Sequence, residues 1–378
     1  MPERASRGYR RYMGTRALST LVVAVLVGGL LPAAAQAAAP GPAPGDPADT
    51  LHHPYRHGAV ATVGASRQTL GSTARKPKVG LNLTYGGGTG GVGVTTGAPK
   101  VYLVFWGSQW GTAGTDANGY TTLSGDAQGT APLLQGFFKG LGNAGESWSG
   151  VMTQYCEGIT AGTISCPVGS AHVGYPTGGA LAGVWVDNAA PAPNQATGHD
   201  LGVEAVNAAG HFGNTSAALN RNAQYVILSP TGTHPDGFNT ALSQFCAWHD
   251  YTGDPTLTGG APGSPYGDLA FTNMPYVTDL GASCGANFVN ATPNGVTDGV
   301  TMVEGHEYAE TITDQLPVGG WTDRTGFENA DKCAWISSGQ GASQNITLTT
   351  GTYAVQSTWS NDTNNGKGSC EITHPTVT

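Results

Sequence analysis

Charge is scarce in this 378-residue sequence: Asp, Glu, Lys and Arg make up 11% of it, with 16 basic residues against 25 acidic ones. So acidic a complement offers no footprint for nucleic acid and none for an anionic membrane surface. After residue 31 no apolar run is long enough to span a bilayer. There is no C-x-x-C, which disfavours thiol redox chemistry and an all-cysteine zinc site. No internal repeat is found.

Glycine, by contrast, is plentiful, with 59 residues, and together with Ser, Thr and Asn it implies a polar, turn-rich surface. Residues 1–39 carry Arg4, Arg7, Arg10, Arg11 and Arg16, then an apolar run over 18–31, then the small-residue stretch AAAQAAA. That is the layout of a secretory signal peptide, with Arg10-Arg11 hinting at the twin-arginine route. Its removal leaves 11 basic and 24 acidic residues, a net charge of −13, on a secreted, extracellular chain with no membrane attachment.

All six cysteines, at 156, 166, 246, 284, 333 and 370, follow the leader. An even count in an exported chain implies disulfides, which fifteen pairings could satisfy. Short loops favour sequential pairing: Cys156 with Cys166, Cys246 with Cys284, Cys333 with Cys370.

Residues 40–98 are rich in Pro, Gly, Ala and Thr without an apolar period, and read as a linker or pro-segment. The glycines over 86–91 spell G-x-G-x-x-G, but no βαβ unit surrounds them. From residue 99 the texture changes. KVYLVFWG, AGVWVD and AQYVILSP are β-rich runs, and APLLQGFFKGLG and HDLGVEAVNAAGHFG carry helical patterns between them. GFNTALSQFCAWHDY continues the alternation, and TYAVQSTWS reads as one closing strand. Residues 99–378 are therefore expected to form one α/β domain, a mixed sheet with flanking helices.

The chemistry concentrates in VEGHEYAETITD, residues 303–314, which carries H-E-x-x-E near the C-terminal third. A helix over 299–315, capped by Asp298 and ended by Pro317, would put His306 and Glu310 on one face, one turn apart. That is the reach of two ligands on one cation, with Glu307 beside them to take a proton from bound water. The plain alternative is a solvated helix surface. Against it, no Lys or Arg lies within four positions of Glu304, Glu307 or Glu310, so the usual pairing of such a face is missing. Downstream, GFENADKC offers Glu328 and Asp331 as further ligands.

Other chemistries are weaker. Glu307 and Glu310 on one helix surface do not resemble a glycosidase pair set across a cleft. Six cysteines that can all pair leave no thiol nucleophile. Among His211, His234 and His249, the last follows Cys246 closely and precedes Asp250, so a disulfide could hold it near a site as a donor to a tetrahedral oxyanion.

The segment from His306 to Asp331 resembles the core of the thermolysin-like, or gluzincin, metallopeptidases. That resemblance implies His306 as first histidine ligand, Glu307 as general base, Thr313-Asp314 as the T-D pair, Glu328 as glutamate ligand and Asp331 as a carboxylate behind the ligands. It departs at Glu310, where the family has histidine. KVYLVFWGSQW, AQYVILSP, FCAWHDYTG and GVTDGVTMVEGHEYAETITDQL together resemble the exordium-like, or phosphate-induced, secreted proteins, known mostly from plant cell walls. That likeness implies a fold more than an activity.

One histidine with two carboxylates would neutralise Zn²⁺ and weaken its acidity, leaving Mn²⁺ or Ca²⁺ as harder alternatives. The expectation is thus a zinc-dependent peptidase acting on extracellular protein or peptide. Its metal would be held by His306, Glu310 and Glu328, with Asp331 as runner-up, and Glu307 and His249 would be catalytic. The rival is a noncatalytic exordium-like protein that binds wall polysaccharide and keeps a structural cation.

Overall fold

The structure, a computed structural model, describes residues 57–66, 82–240 and 244–378. The leader and residues 40–56 lie outside that range. Within it, apolar runs become the strands β1 (Lys100–Trp106), β2 (Leu181–Asp187), β3 (Ala223–Leu228), β4 (Trp248–Tyr251) and β5 (Ala270–Met274). They form one sheet of order β2-β1-β3-β5-β4, parallel except for β4, which runs antiparallel to β5 at the edge. β3 and β5 are buried along their lengths and β1 from Val101 to Phe105, which is why β1 and β3 read as near-continuous apolar runs rather than alternations.

Helices cover both faces. The principal ones are α1 (Thr130–Gly140), α2 (Gly198–His211) and α3 (Asp298–Thr313). Adjacent residues of β3 show the division, because successive strand side chains point to opposite faces. Tyr225 meets Asn214 and Asn220 just beyond α2, whereas Gln224 donates to Thr311 of α3 at 2.9 Å. α1 packs on α3 through Phe138 and Tyr308, ring centroids 5.5 Å apart.

The C-terminal part adds two hairpins, β6 (Gln344–Leu348) with β7 (Gly351–Val355), and β8 (Thr358–Ser360) with β9 (Ser369–Glu371). The stretch read as one closing strand is therefore two, broken at Gln356-Ser357. GFNTALSQFCAWHDY, residues 237–251, contains no regular helix among its described residues: Gly237 ends the 3-10 turn Pro235–Gly237, and β4 closes the stretch. Asp298 does not cap α3 either. It is the first helical residue, and its carboxylate accepts from the backbone of Val289 and Asn290 at 2.8 and 2.7 Å, fastening the preceding loop.

Residues 57–66 and 82–98 pack into the domain although their composition reads as linker. Thr84–Tyr85 pairs with Trp321–Thr322, and Leu83, Tyr85, Val94, Ala59 and Val60 are buried. They fall in short groups, Ala59-Val60-Ala61, then Leu83 and Tyr85, then Val92 and Val94, too short to set up a sustained period. The disulfides join Cys156 to Cys166, Cys246 to Cys284 and Cys333 to Cys370.

Candidate metal centre

Four segments converge under the edge of the sheet. β4 brings His249 and α3 brings His306, Glu307 and Glu310. The turn around the 3-10 helix Asp331–Cys333 brings Glu328 and Asp331, and the break between β7 and β8 brings Gln356. Two disulfides hold this arrangement. Cys246, three residues before His249, is tied to Cys284 of the 3-10 segment Val277–Cys284 beside α3, and Cys333, two after Asp331, is tied to Cys370 of β9.

His306 Nε2 lies 3.1 Å from Glu310 Oε2 and 3.6 Å from Asp331 Oδ1. His249 Nε2 lies 3.8 Å from the same Glu310 oxygen and 3.3 Å from Glu328 Oε2. The six acidic and imidazole groups named in the sequence are thus gathered in one place. His249, Glu307 and Glu310 form one group of mutually close ligand atoms, and His306, Glu310 and Asp331 another, with Glu310 in both.

Orientation is set from behind. Gln356 Nε2 donates to the Ala330 carbonyl at 2.8 Å, so its Oε1 faces His306 Nδ1 at 3.1 Å as an acceptor. In the neutral ring this acceptor fixes the proton on Nδ1, which leaves Nε2 as the lone pair toward the cluster. Glu310 Oε1 accepts from the backbone of Ala330 and Asp331 at 3.2 and 2.8 Å, which turns Oε2 inward.

The inward atoms are orphaned. His249 Nε2, His306 Nε2, Glu310 Oε2, Glu328 Oε2 and both oxygens of Glu307 are buried without a hydrogen-bond partner. Buried polar atoms are ordinarily satisfied, at a penalty of about 1–3 kcal/mol each when they are not, and six in one place form a set of donors that could hold a metal ion.

The electrostatics agree. Burial, reinforced by the Asp331 charge, pushes the Glu310 carboxyl up to about 8, and burial likewise holds Glu307 and Glu328 well above the carboxylate range. Burial pushes His249 down to about 3, with His57 and His306 adding to it, so its ring is neutral. Burial opposes charge on His306 too, but the carboxylates of Glu310 and Asp331 outweigh it and hold that imidazole well above its usual range. No basic side chain relieves the cluster among the described residues: Lys332, next in sequence, turns away to Asp323 at 3.1 Å and lies over the Trp359 ring.

Thr313 and Asp314 meet the cluster only at the Glu310 backbone carbonyl, which accepts from the Thr313 hydroxyl at 3.3 Å and the Asp314 amide at 2.7 Å. Asp314 closes the helix end by accepting from Val318 and Gly320 at 2.9 and 2.5 Å. His211 stacks on Trp185, and His234 Nδ1 lies 3.0 Å from the Phe238 carbonyl, both as structural residues. Residues 281–285, GASCG, spell G-x-S-x-G. Yet Ser283 is exposed on a 3-10 turn with Cys284 in a disulfide, which is not the strand-to-helix elbow a serine nucleophile needs. A depression of about 300 Å³ lined by Tyr155, Trp321, His172 and Asn361 contains none of the cluster residues.

Sequence reasoning did not find Gln356, Glu304 or the His57-Gly58 pair. Gln356 had no signal, since a glutamine in a β-rich run looks like any other polar residue. Glu304, fully buried with both oxygens orphaned, was marked only by the missing basic partners. Compared with protein-family models, curated proteins and solved structures, the chain matches none. The buried His, Glu and Asp groups could hold a metal ion.

Proposed function

We propose that the chain is a metal-dependent peptidase that hydrolyses peptide bonds with a cation-activated water. The observation that carries this reading is Glu310 Oε2 facing His306 Nε2 and His249 Nε2 at 3.1 and 3.8 Å, three buried ligand atoms without partners. Donors bound to one four-coordinate zinc at about 2.0–2.1 Å lie roughly 3.3 Å from one another; Glu310 Oε2 stands near that spacing from each histidine and is shared by the two groups of close ligand atoms. His249 is then the second histidine that H-E-x-x-E lacks, and it serves as a ligand rather than as an oxyanion donor.

Two imidazoles with Glu310 and either Glu328 or Asp331 suit Zn²⁺ better than the one-histidine set, whereas a carboxylate-rich selection would suit Mn²⁺ or Ca²⁺. The cation would supply charge stabilisation and lower the pKa of bound water. Glu307 has no competing hydrogen bond and would take the proton of that water as its oxygen attacks the carbonyl carbon. The same carboxyl then gives the proton to the amine as the C–N bond breaks.

A signal-like leader, three disulfides and the absence, among the described residues, of a helix long and apolar enough to cross a membrane are compatible with an extracellular protein acting on extracellular protein or peptide. One observation favours a second reading. The cluster is buried but for the partly exposed Asp331, as a structural cation site would be, which is how a noncatalytic exordium-like protein binding wall polysaccharide would use it.

Elemental analysis with casein hydrolysis, with and without a chelator, tests the two. One equivalent of metal with chelator-sensitive cleavage that Glu307→Gln abolishes supports the peptidase. Metal retention and polysaccharide binding with no hydrolysis by either form would replace it with the second reading.

A further inference from the structure

Why the cluster is closed is visible on its open side. β4 is an edge strand, and its free edge is covered by residues 57–62 of the same chain. The Val60 amide donates to the Ala247 carbonyl at 3.1 Å, and the Cys246 amide returns to the Val60 carbonyl at 2.6 Å. The Thr62 amide donates to the Gln244 carbonyl at 2.7 Å, and the His249 amide to the His57 carbonyl at 3.1 Å. These antiparallel bonds, centred on the isolated bridges His57–His249 and Ala61–Phe245, lay the segment along the edge as a strand would lie, held by backbone rather than by side-chain identity.

Anchors flank it. Ala59 and Val60 are buried, Trp335 Nε1 donates to the Ala61 carbonyl at 2.6 Å, and His57 Nε2 lies 3.2 Å from Asp254 Oδ2.

Between these anchors the backbone passes over the cluster at Gly58. A β-carbon there would collide with Glu310 Oε2 and stand 2.5 Å from His249 Nε2, and φ is +55°. Only glycine permits both that approach and that dihedral without strain. The segment thus occupies the place from which a substrate would have to meet Glu310 and His249.

We propose that the edge formed by residues 244–249 is the binding cleft of the site, that its ligand is an extended polypeptide added as a strand, and that residues 57–62 are an intramolecular occupant of that cleft. The substrate class this names, peptide in extended conformation with a small residue over the cluster, rests on the peptidase reading. The strand-addition cleft itself does not.

The test uses the full chain carrying Gly58→Val, which cannot keep the close approach, beside the milder His57→Ala, which removes only the contact with Asp254. Hydrogen exchange at the Cys246 and His249 amides is measured with casein hydrolysis. A synthetic peptide of residues 55–66, YRHGAVATVGAS, is then added.

The expected result is exchange at least tenfold faster in Gly58→Val, a smaller rise in His57→Ala, faster hydrolysis in both, and reversal of all three by the peptide but not by the same peptide carrying Gly58→Val. Faster exchange reversed by the peptide, with no hydrolysis in any form, would keep the cleft and remove the peptidase reading. Exchange unchanged in both variants, or accelerated exchange that the peptide does not reverse, would overturn the cleft whatever the activity.

Discussion

α2 and α3 lie on opposite faces of one sheet and both bury glutamate, yet they are built by different rules. α2 begins with a capping box, Thr197 and Asp200 bonding each other's backbone, and keeps exposed residues such as Val203 on its outer side. Its one buried carboxylate, Glu204, accepts from Asn207 at 3.1 Å. α3 has no side-chain cap, is buried at every position, and carries Glu304, Glu307 and Glu310 inside the protein. A helix buried all round is ordinarily apolar all round. The excess of titratable groups on α3 is therefore a departure from what stability alone favours, and it coincides with the candidate site.

The first way to break this comparison is Glu307→Gln. If α3 is a catalytic helix, hydrolysis falls by about 10²–10⁴-fold while bound metal is unchanged, as read by chelator-sensitive casein cleavage beside elemental analysis. Equal activity would return Glu307 to the structural class of Glu204.

A second test asks what holds the polar side of the sheet together. Replacing Cys246 and Cys284 with serine opens a bridge spanning 38 residues, and such loops contribute about 4 kcal/mol. The expected loss in denaturant unfolding is of that size, with weaker metal retention because His249 is no longer pinned beside α3.

On α2 the prediction concerns pH. Burial raises the Glu204 carboxyl to about 8 from its ordinary 4.5, against the hydrogen bond from Asn207 and with help from Asp187. A folded state that holds its proton more tightly than the unfolded chain is fully stable below about 4.5, and loses that stability as pH rises toward about 8. Glu204→Gln should therefore be nearly neutral at pH 4 and stabilising by roughly 4 kcal/mol at pH 8. Thermal unfolding at the two pH values checks it, and an equal shift at both would refute it.

The smallest effect is expected behind the cluster. Gln356→Ala removes the acceptor that fixes the His306 tautomer, and loss of such a partner typically weakens metal binding by about 10–100-fold. Competition with a zinc-binding dye measures this, and no change would show that the ring is oriented by its packing alone.

Legibility in the sequence follows the same division. β1, β2 and β3 stand out as apolar, β-branched and aromatic runs, and α1 and α2 because their apolar residues recur at helical spacing, whereas β5 carries Thr272 and Asn273 inside it and gives no such signal. α3 was recognisable as a helix from its spacing, but its burial was not, since three glutamates and a histidine read as surface. The residues of H-E-x-x-E and the downstream acidic pair were legible as candidate ligands, because residues three and four apart on a helix share a face whatever surrounds them. His249 was legible only as a histidine near a cysteine. Its distance from Glu310 depends on β5, on the Cys246–Cys284 bridge and on the packing of α3, none of which is local.

The sequence by itself determined the acidic, glycine-rich and disulfide-bonded character of the chain, three of the five strands of its sheet and the short list of groups able to bind a cation. Those properties follow from side-chain chemistry and from local periodicity. Only the tertiary structure decided that the groups converge, that Gln356 sets the His306 proton, and that Gly58 lies across the cluster. Each of these is a contact between residues far apart in the chain. Such contacts are fixed by how sheet, helices and disulfides pack together, and no spacing along the chain encodes them.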